Sequence, residues 1–256
     1  MKNPSSAHVL ARRAEATHRV AAGGGGGRRY ELAYEALRRA IIRGIFPIGS
    51  RLVASTLARD LGFSRTPVRD ALSRLATLGL VRRAGKTYAV VGLTSKDVDN
   101  IAAVRAVLEG AAAGLAAKEV TPADLKVLKG LLGEMDRAVE HEDSNVYRTY
   151  HRRFHFRIVA STGNPYFERS LEPLMDLVDL AWEASSPDMP RYELAQEQHR
   201  EIVRALTRRD SKAARLSMII HINTGMRKVS EALEGRSEGL SLREIVEEAL
   251  IAGGHS

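Results

Sequence analysis

The chain has 256 residues, 44% of them hydrophobic, with no cysteine and a formal net charge of +8. That length holds one large domain or two modest ones. The lack of thiols excludes disulfides and thiolate metal centres and suits a reducing cytoplasm. No uninterrupted apolar run of about 18 residues occurs, so no membrane partner is expected. Residues 1–27 also lack the continuous apolar stretch of a secretory leader.

The charge is unevenly placed. Residues 1–27 carry 4 basic and 1 acidic side chain, residues 28–91 carry 13 and 4, and residues 92–256 carry 22 and 26. The positive excess is therefore concentrated on residues 28–91. A basic segment of this kind attracts phosphate and releases counterions on binding, although a solvated basic surface has the same balance.

In chain order, residues 1–27 read as a disordered tail. They end in the run Gly23 to Gly27, whose backbone loses much entropy on ordering. Lys2, Arg12, Arg13 and Arg19 of this tail either touch phosphates without specificity or stay solvated. Helical spacing over Tyr30 to Arg43 places Ala33, Leu37, Ala40 and Ile41 on a core face, and Gly44 stops the helix. Pro47 and Gly49 shape a turn. A short helix follows from about Ser55 to Leu61, with Leu57 and Leu61 inward. Gly62 ends it, because glycine tolerates the left-handed conformation just past a helix C-terminus.

Ser64 is a good N-cap for the next helix, and Pro67 sits in its first turn, where a missing N–H costs little. Val68, Leu72, Leu75 and Leu78 give that helix a buried face. Arg65, Thr66 and Arg69 lie at its N-terminal end on the other side. In a helix-turn-helix this end enters the major groove, where an arginine fork reads guanine and a threonine reaches base or phosphate. Gly79 stops the helix. Leu80–Arg83 and Tyr88–Val91 read as two short strands joined through Ala84, Gly85 and Lys86.

Thr94 and Asp97 have the spacing of a capping box. From there to Glu234 the pattern is helical, broken at Thr121-Pro122, Glu142–Ser144, Gly163-Asn164-Pro165, Ser185–Pro190 and Asp210-Ser211. Six helices are expected near 98–119, 122–140, 145–162, 165–183, 191–208 and 211–234, forming a bundle with short connections. A final segment, Ser241 to Ile251, reads as an appended amphipathic helix.

Within this region His151 and His155 are four residues apart, so on a helix they share a face. That spacing presents two imidazoles to one metal, and a simple packed pair has the same spacing. His199 and His221 stand on later helices among apolar neighbours, where a histidine is usually a satisfied core residue. The expected fold is mainly α: an N-terminal winged helix-turn-helix with a small β-wing, plus a C-terminal all-α bundle.

Two runs carry a resemblance. "GIFPIGSRL" (Gly44 to Leu52) and "LGFSRTPVRDAL" (Leu61 to Leu72) resemble the winged helix-turn-helix of the GntR superfamily of bacterial transcription regulators. The resemblance implies double-stranded operator DNA as a partner. The candidate contacts are Ser64, Arg65, Thr66, Arg69, Ser55 and the wing residues Gly85 and Lys86. The family usually has an acidic residue and a longer polar or basic one near the start of the second helix. This chain has Val53, Ala54, Ser55 and Thr56 there.

Residues 98–230 resemble the FCD domain of the FadR branch of that superfamily. The matching runs are "VRAVLEGAAAGLAA" (Val104 to Ala117), "FH" (Phe154-His155), "STGNPYF" (Ser161 to Phe167), "QHREIVRAL" (Gln198 to Leu206), "RRDSKAA" (Arg208 to Ala214) and "HI" (His221-Ile222). Many members of that family bind a divalent metal through one Asp and three His. The three positions map onto His155, His199 and His221, and the position of the Asp is His151 here. Either His151 is a fourth ligand or it points away. An all-imidazole set leaves a divalent ion its full charge and suits Zn or Ni over Mg or Mn. Arg105 holds the family position that faces the effector pocket, where it either binds a carboxylate or pairs with Glu109. Tyr150, Arg152 and Trp182 are further candidates for lining that pocket.

The resemblance implies domains at 28–93 (DNA-binding) and 97–235 (effector, metal and dimerisation), flanked by tails at 1–27 and 236–256. The expected function is a cytoplasmic homodimeric regulator that binds a pseudo-palindromic operator and responds to a small organic acid. The alternative is a metal-dependent hydrolase with a multi-histidine zinc site, although the chain has no HExxH or GxSxG motif.

Overall fold

The computed structural model describes residues 26–185 and 192–239. Residues 1–25 of the N-terminal tail and the segment Ser241 to Ile251 lie outside the described residues. The chain divides into two compact units. One comprises residues up to Gly92 together with Asp176–Ala184, and the other comprises Leu93–Met175 and the residues from Ser185 on.

The first unit contains α1 (Gly26–Ile42), β1 (Arg51–Leu52), α2 (Ala54–Leu61), α3 (Arg65–Thr77), β2 (Val81–Ala84) and β3 (Thr87–Val90). α1 begins inside the glycine run, earlier than the apolar spacing suggested. Its inward side chains Ala33, Leu37, Ala40 and Ile41 are all buried, as a 3.6-residue period requires. Gly62 ends α2 with φ 70° and returns its N–H to Ala58 and Arg59. Gly79, with φ 78°, turns the chain out of α3 and into the wing. β2 and β3 form an antiparallel hairpin, Ala84 opposite Thr87, around Gly85 and Lys86. Gly85 has φ 60°, the sign a two-residue hairpin turn needs. β1 adds a third strand in the order β1-β3-β2. It was not expected, because two residues are too few to display an alternation.

The second unit contains α4 (Ser95–Glu119), α5 (Pro122–Glu140), α6 (Ser144–Ala160), the first half of α7 (Pro165–Ser185), α8 (Glu193–Thr207) and α9 (Ser211–Gly239). The six helices stand where the turn signals place them, within a few residues at their ends. Thr94/Asp97 and Thr121/Asp124 are complete capping boxes, so two orphan N–H groups are satisfied at the start of α4 and again at α5. α4 and α9 approach closely at Gly110 and Gly114. A Cβ on Gly110 would stand 2.7 Å from Ile219 Cγ1, and one on Gly114 would stand 3.2 Å from the Ser211 carbonyl oxygen.

α4 is the one described helix long and apolar enough to cross a membrane by length and composition, although charged residues interrupt its apolar run. Over half of its apolar window is buried in the fold. It also carries the buried pair Arg105 and Glu109, as a bundle core helix can when the charges are matched.

Candidate DNA-reading helix and metal centre

In the first unit, Pro67, Val68, Ala71, Leu72 and Leu75 turn one face of α3 inward. The opposite face presents Arg65, Thr66 and Arg69, all exposed at the N-terminal turn. Ser64 is the N-cap residue, but its side chain makes no capping hydrogen bond, so the exposed hydroxyl is left for other partners. Ser55 is exposed in the first turn of α2, and Gly85 and Lys86 are exposed at the wing tip. Arg51, Arg82 and Arg83 are exposed too. They were missed because the β1 pairing and the outward side of β2 become visible only with the sheet. Arg74 is engaged internally: its guanidinium lies 4.5 Å over the Tyr34 ring and donates to the Tyr30 hydroxyl at 3.2 Å.

In the second unit, α6, α8 and α9 bring four histidines together. His151 and His155 come from successive turns of α6, His199 from α8 and His221 from α9. All four are buried, and one ligand nitrogen of each lies within 4.8 Å of all the others. The Nε2–Nε2 separations are 3.1 Å for His151 and His155, 3.1 Å for His199 and His221 and 3.3 Å for His155 and His221. Nitrogens bound about 2.0–2.1 Å from a tetrahedral zinc stand about 3.3–3.4 Å apart, so the spacing fits.

The outer nitrogens determine what the inner ones offer. His155 Nδ1 donates to Glu109 Oε2 at 2.5 Å, His199 Nδ1 to Gln196 Oε1 at 2.9 Å and His221 Nδ1 to Gln198 Oε1 at 3.3 Å. The Gln196 amide is itself oriented, because its NH2 donates to Asp136 Oδ1 at 2.7 Å, leaving its oxygen to accept. With the proton on Nδ1, a neutral ring turns a lone pair inward at Nε2. Burial, and then the neighbouring imidazoles, push the pKa of His151 and of His199 well below the ordinary histidine value. Burial, followed by His155, does the same at His221. The inner nitrogens of His155, His199 and His221 are thus convergent lone pairs that repel one another unless a cation lies among them, backed by the outer hydrogen bonds typical of metal-ligating histidines.

On α4, Glu109 accepts from Arg105 Nε at 2.7 Å through its other oxygen. Burial alone would raise the Glu109 pKa. The Arg105 guanidinium and the His155 ring outweigh it and hold the carboxyl at about 2. The internal pairing of Arg105 is therefore present. Its Nη1 lies 3.6 Å from Met226 Sδ, and its buried Nη2 has no hydrogen-bond partner among the described residues. The Tyr147 hydroxyl is also buried and without one. The Tyr147 ring stacks on Tyr192 at 3.9 Å between centroids and faces the His151 ring at 5.9 Å.

Of the other expected lining residues, the Arg152 guanidinium lies over Phe156 at 5.1 Å and Tyr150 lies under Arg153 at 5.7 Å. Trp182 falls in the stretch Asp176–Ala184, which belongs to the first unit. Glu109, Gln196 and Gln198 were not singled out as metal-supporting residues from the sequence, since only the packed bundle points them at the outer nitrogens.

A family model described as "Bacterial regulatory proteins, gntR family" matches residues 29–91, and one described as "FCD domain" matches residues 100–224. The "Probable D-xylose utilization operon transcriptional repressor" of Paenarthrobacter nicotinovorans is 32% identical over 183 residues, which cover 71% of this chain and 80% of that protein. An uncharacterized HTH-type transcriptional regulator of Bacillus subtilis (strain 168), YdhC, is 28% identical over 208 residues, covering 80% and 92%. The solved structure of E. coli McbR/YncC matches with a TM-score of 0.70 at 25% identity, over 79% of this chain and 97% of that one.

A winged helix-turn-helix followed by an all-helical, histidine-lined bundle defines a transcriptional regulator, not an enzyme. The chain belongs to the GntR family of bacterial regulatory proteins and carries an FCD domain. Regulators of this family bind operator DNA. Nothing in the matched families or relatives supports the hydrolase alternative.

Proposed function

We propose that this regulator works in the cytoplasm as a homodimer on a pseudo-palindromic operator, and that a small organic acid bound in a metal-containing bundle sets its affinity for DNA. Residues 28–93 are the reading domain, with Arg65, Thr66, Arg69 and Ser64 in the major groove and Ser55, Gly85 and Lys86 on the backbone. Residues 97–235 sense and dimerise.

The observation that carries the sensing role is the inward convergence of the Nε2 atoms of buried histidines. His151, His155, His199 and His221 would hold one divalent ion, and an all-nitrogen set favours Zn or Ni. Such an ion supplies a full double positive charge. Together with the buried, unpartnered Nη2 of Arg105, that charge favours a carboxylate ligand. The ligand alters DNA binding to the extent that it prefers one arrangement of the dimer over another.

The dimer surface proposed is the outer face of α4 and α9. Val107 is 71% exposed and Leu216 is 59% exposed, with Val104, Leu115 and Ile220 beside them on these helices. A helix apolar on all sides is normally covered on all sides.

The test has two arms. Duplexes enriched from a random pool should bind the purified protein at modest ionic strength, and their affinity should change on adding Zn2+ with small mono- and dicarboxylates. If no duplex is enriched, the reading fails. Metal analysis of the wild type and His151→Ala decides the ligand set, and equal occupancy removes His151 from it.

A further inference from the structure

The carboxylate of Glu109 is shared by two partners. Oε1 takes the Arg105 Nε–H at 2.7 Å and Oε2 takes the His155 Nδ1–H at 2.5 Å. All three side chains are almost wholly buried. The outer nitrogens of His199 and His221 lean on neutral glutamine oxygens instead. Among these three rings, His155 alone therefore has an anion behind it.

We propose that Glu109 is the positioning residue that sets the metal affinity of the histidine cluster, and that Arg105 restrains it by drawing on the same carboxylate. This rests on the metal reading above. A carboxylate on Nδ1 fixes the ring and its tautomer, makes Nε2 more basic and offsets part of the charge brought in by a dication. Arg105 acts in the opposite direction. It claims one of the two oxygens and places a permanent positive charge behind the site. An anion that engages the remaining N–H group of Arg105 relaxes that claim, so metal and anion strengthen each other's binding by the same factor. The arginine that greets the effector and the carboxylate that tunes the metal are one unit.

The inference makes an unusual demand: the two halves of one ion pair must affect zinc binding with opposite signs. The experiment measures Zn2+ affinity of the full chain by chelator competition in the wild type, Glu109→Gln, Arg105→Met, the double variant and His199→Ala. Glu109→Gln should weaken zinc roughly 10- to 100-fold, the usual scale for a lost outer partner. Arg105→Met should tighten it roughly tenfold, the scale of one screened unit charge removed from a partly buried site. The double variant leaves neither charge buried alone, so it keeps the fold testable, and it should bind zinc more tightly than Glu109→Gln and less tightly than Arg105→Met. In 15N spectra the His155 Nδ1 resonance should move in Glu109→Gln, while those of His199 and His221 stay in place.

Weakening by both single variants, a double variant that binds zinc more weakly than Glu109→Gln, or an unmoved His155 resonance overturns the inference. If these occur while His199→Ala still abolishes zinc binding, the metal reading survives alone. A wild type that binds no zinc removes both.

Discussion

The Nε2 atoms of His199 and His221 lie 3.1 Å apart, and both rings have their outer nitrogens hydrogen-bonded to glutamine oxygens. Neither neutral ring has a proton to place between them. A metal that binds the folded cluster and not the unfolded chain stabilises the fold, by about 2.7 kcal/mol at a free concentration 100 times its dissociation constant. Dialysis against a chelator should therefore lower the melting temperature, and Zn2+ or Ni2+ should restore it where Mg2+ does not. Differential scanning calorimetry at fixed pH measures this.

The metal-free protein should be sensitive to acid. His151, His199 and His221 have folded pKa values depressed below the ordinary 6.5, chiefly by burial. Below that value the unfolded chain takes up protons that the folded cluster refuses. The stability they contribute is complete above pH 6.5 and drains away as the pH falls from there. The limiting slope is about 1.4 kcal/mol per pH unit for each histidine that stays neutral. Urea denaturation of the metal-free protein at pH 7.5, 6.5 and 5.5 reads the slope, and a flat profile would contradict a buried neutral cluster.

On the DNA side, Arg69 and Lys86 should behave differently. Arg69 is exposed beside the N-terminus of α3, where a bidentate contact to guanine is worth about 1–3 kcal/mol of discrimination. Arg69→Ala should lose that much on the selected duplex and little on random DNA. Lys86, exposed at the wing tip, should contribute through phosphate. Lys86→Ala should weaken all duplexes alike and reduce the salt slope by about 1. Titrations at several salt concentrations separate the two effects.

Val107 is 71% exposed on α4, so replacing it should leave the folded chain intact. Val107→Glu should convert a dimer to a monomer in light scattering, with an unchanged helical circular dichroism spectrum. It should also weaken operator binding, because two half-sites would no longer be held together. An unchanged mass would place the dimer contact elsewhere.

Much of the architecture was legible because its signals are local. Gly62 and Gly79 take the left-handed backbone that ends α2 and α3, Thr94 and Asp97 close a four-residue capping box, and Gly85 turns the wing. Each depends on neighbours within one helical turn. The turn at Asp210-Ser211 was marked as well, but what holds it was not. Arg209 adopts φ 55° without being glycine, and its guanidinium binds the Lys118 and Val120 carbonyl oxygens at the end of α4, at 2.6 and 3.0 Å. That contact spans 91 residues of sequence, so no local pattern announces it.

The sequence by itself determined the reading helix, the wing, the helical order of the bundle and the four histidines as candidates, since helical period, caps and turn residues are properties of short stretches. Tertiary structure alone decided that those histidines meet, that Glu109, Gln196 and Gln198 fix the rings, and that Arg105 gives its Nε–H to Glu109 while its buried Nη2 has no partner among the described residues. The reason is geometric. The Nε2 atoms of His155 and His221 come within 3.3 Å across 66 residues of chain, and only the packing of α4, α6, α8 and α9 sets that distance.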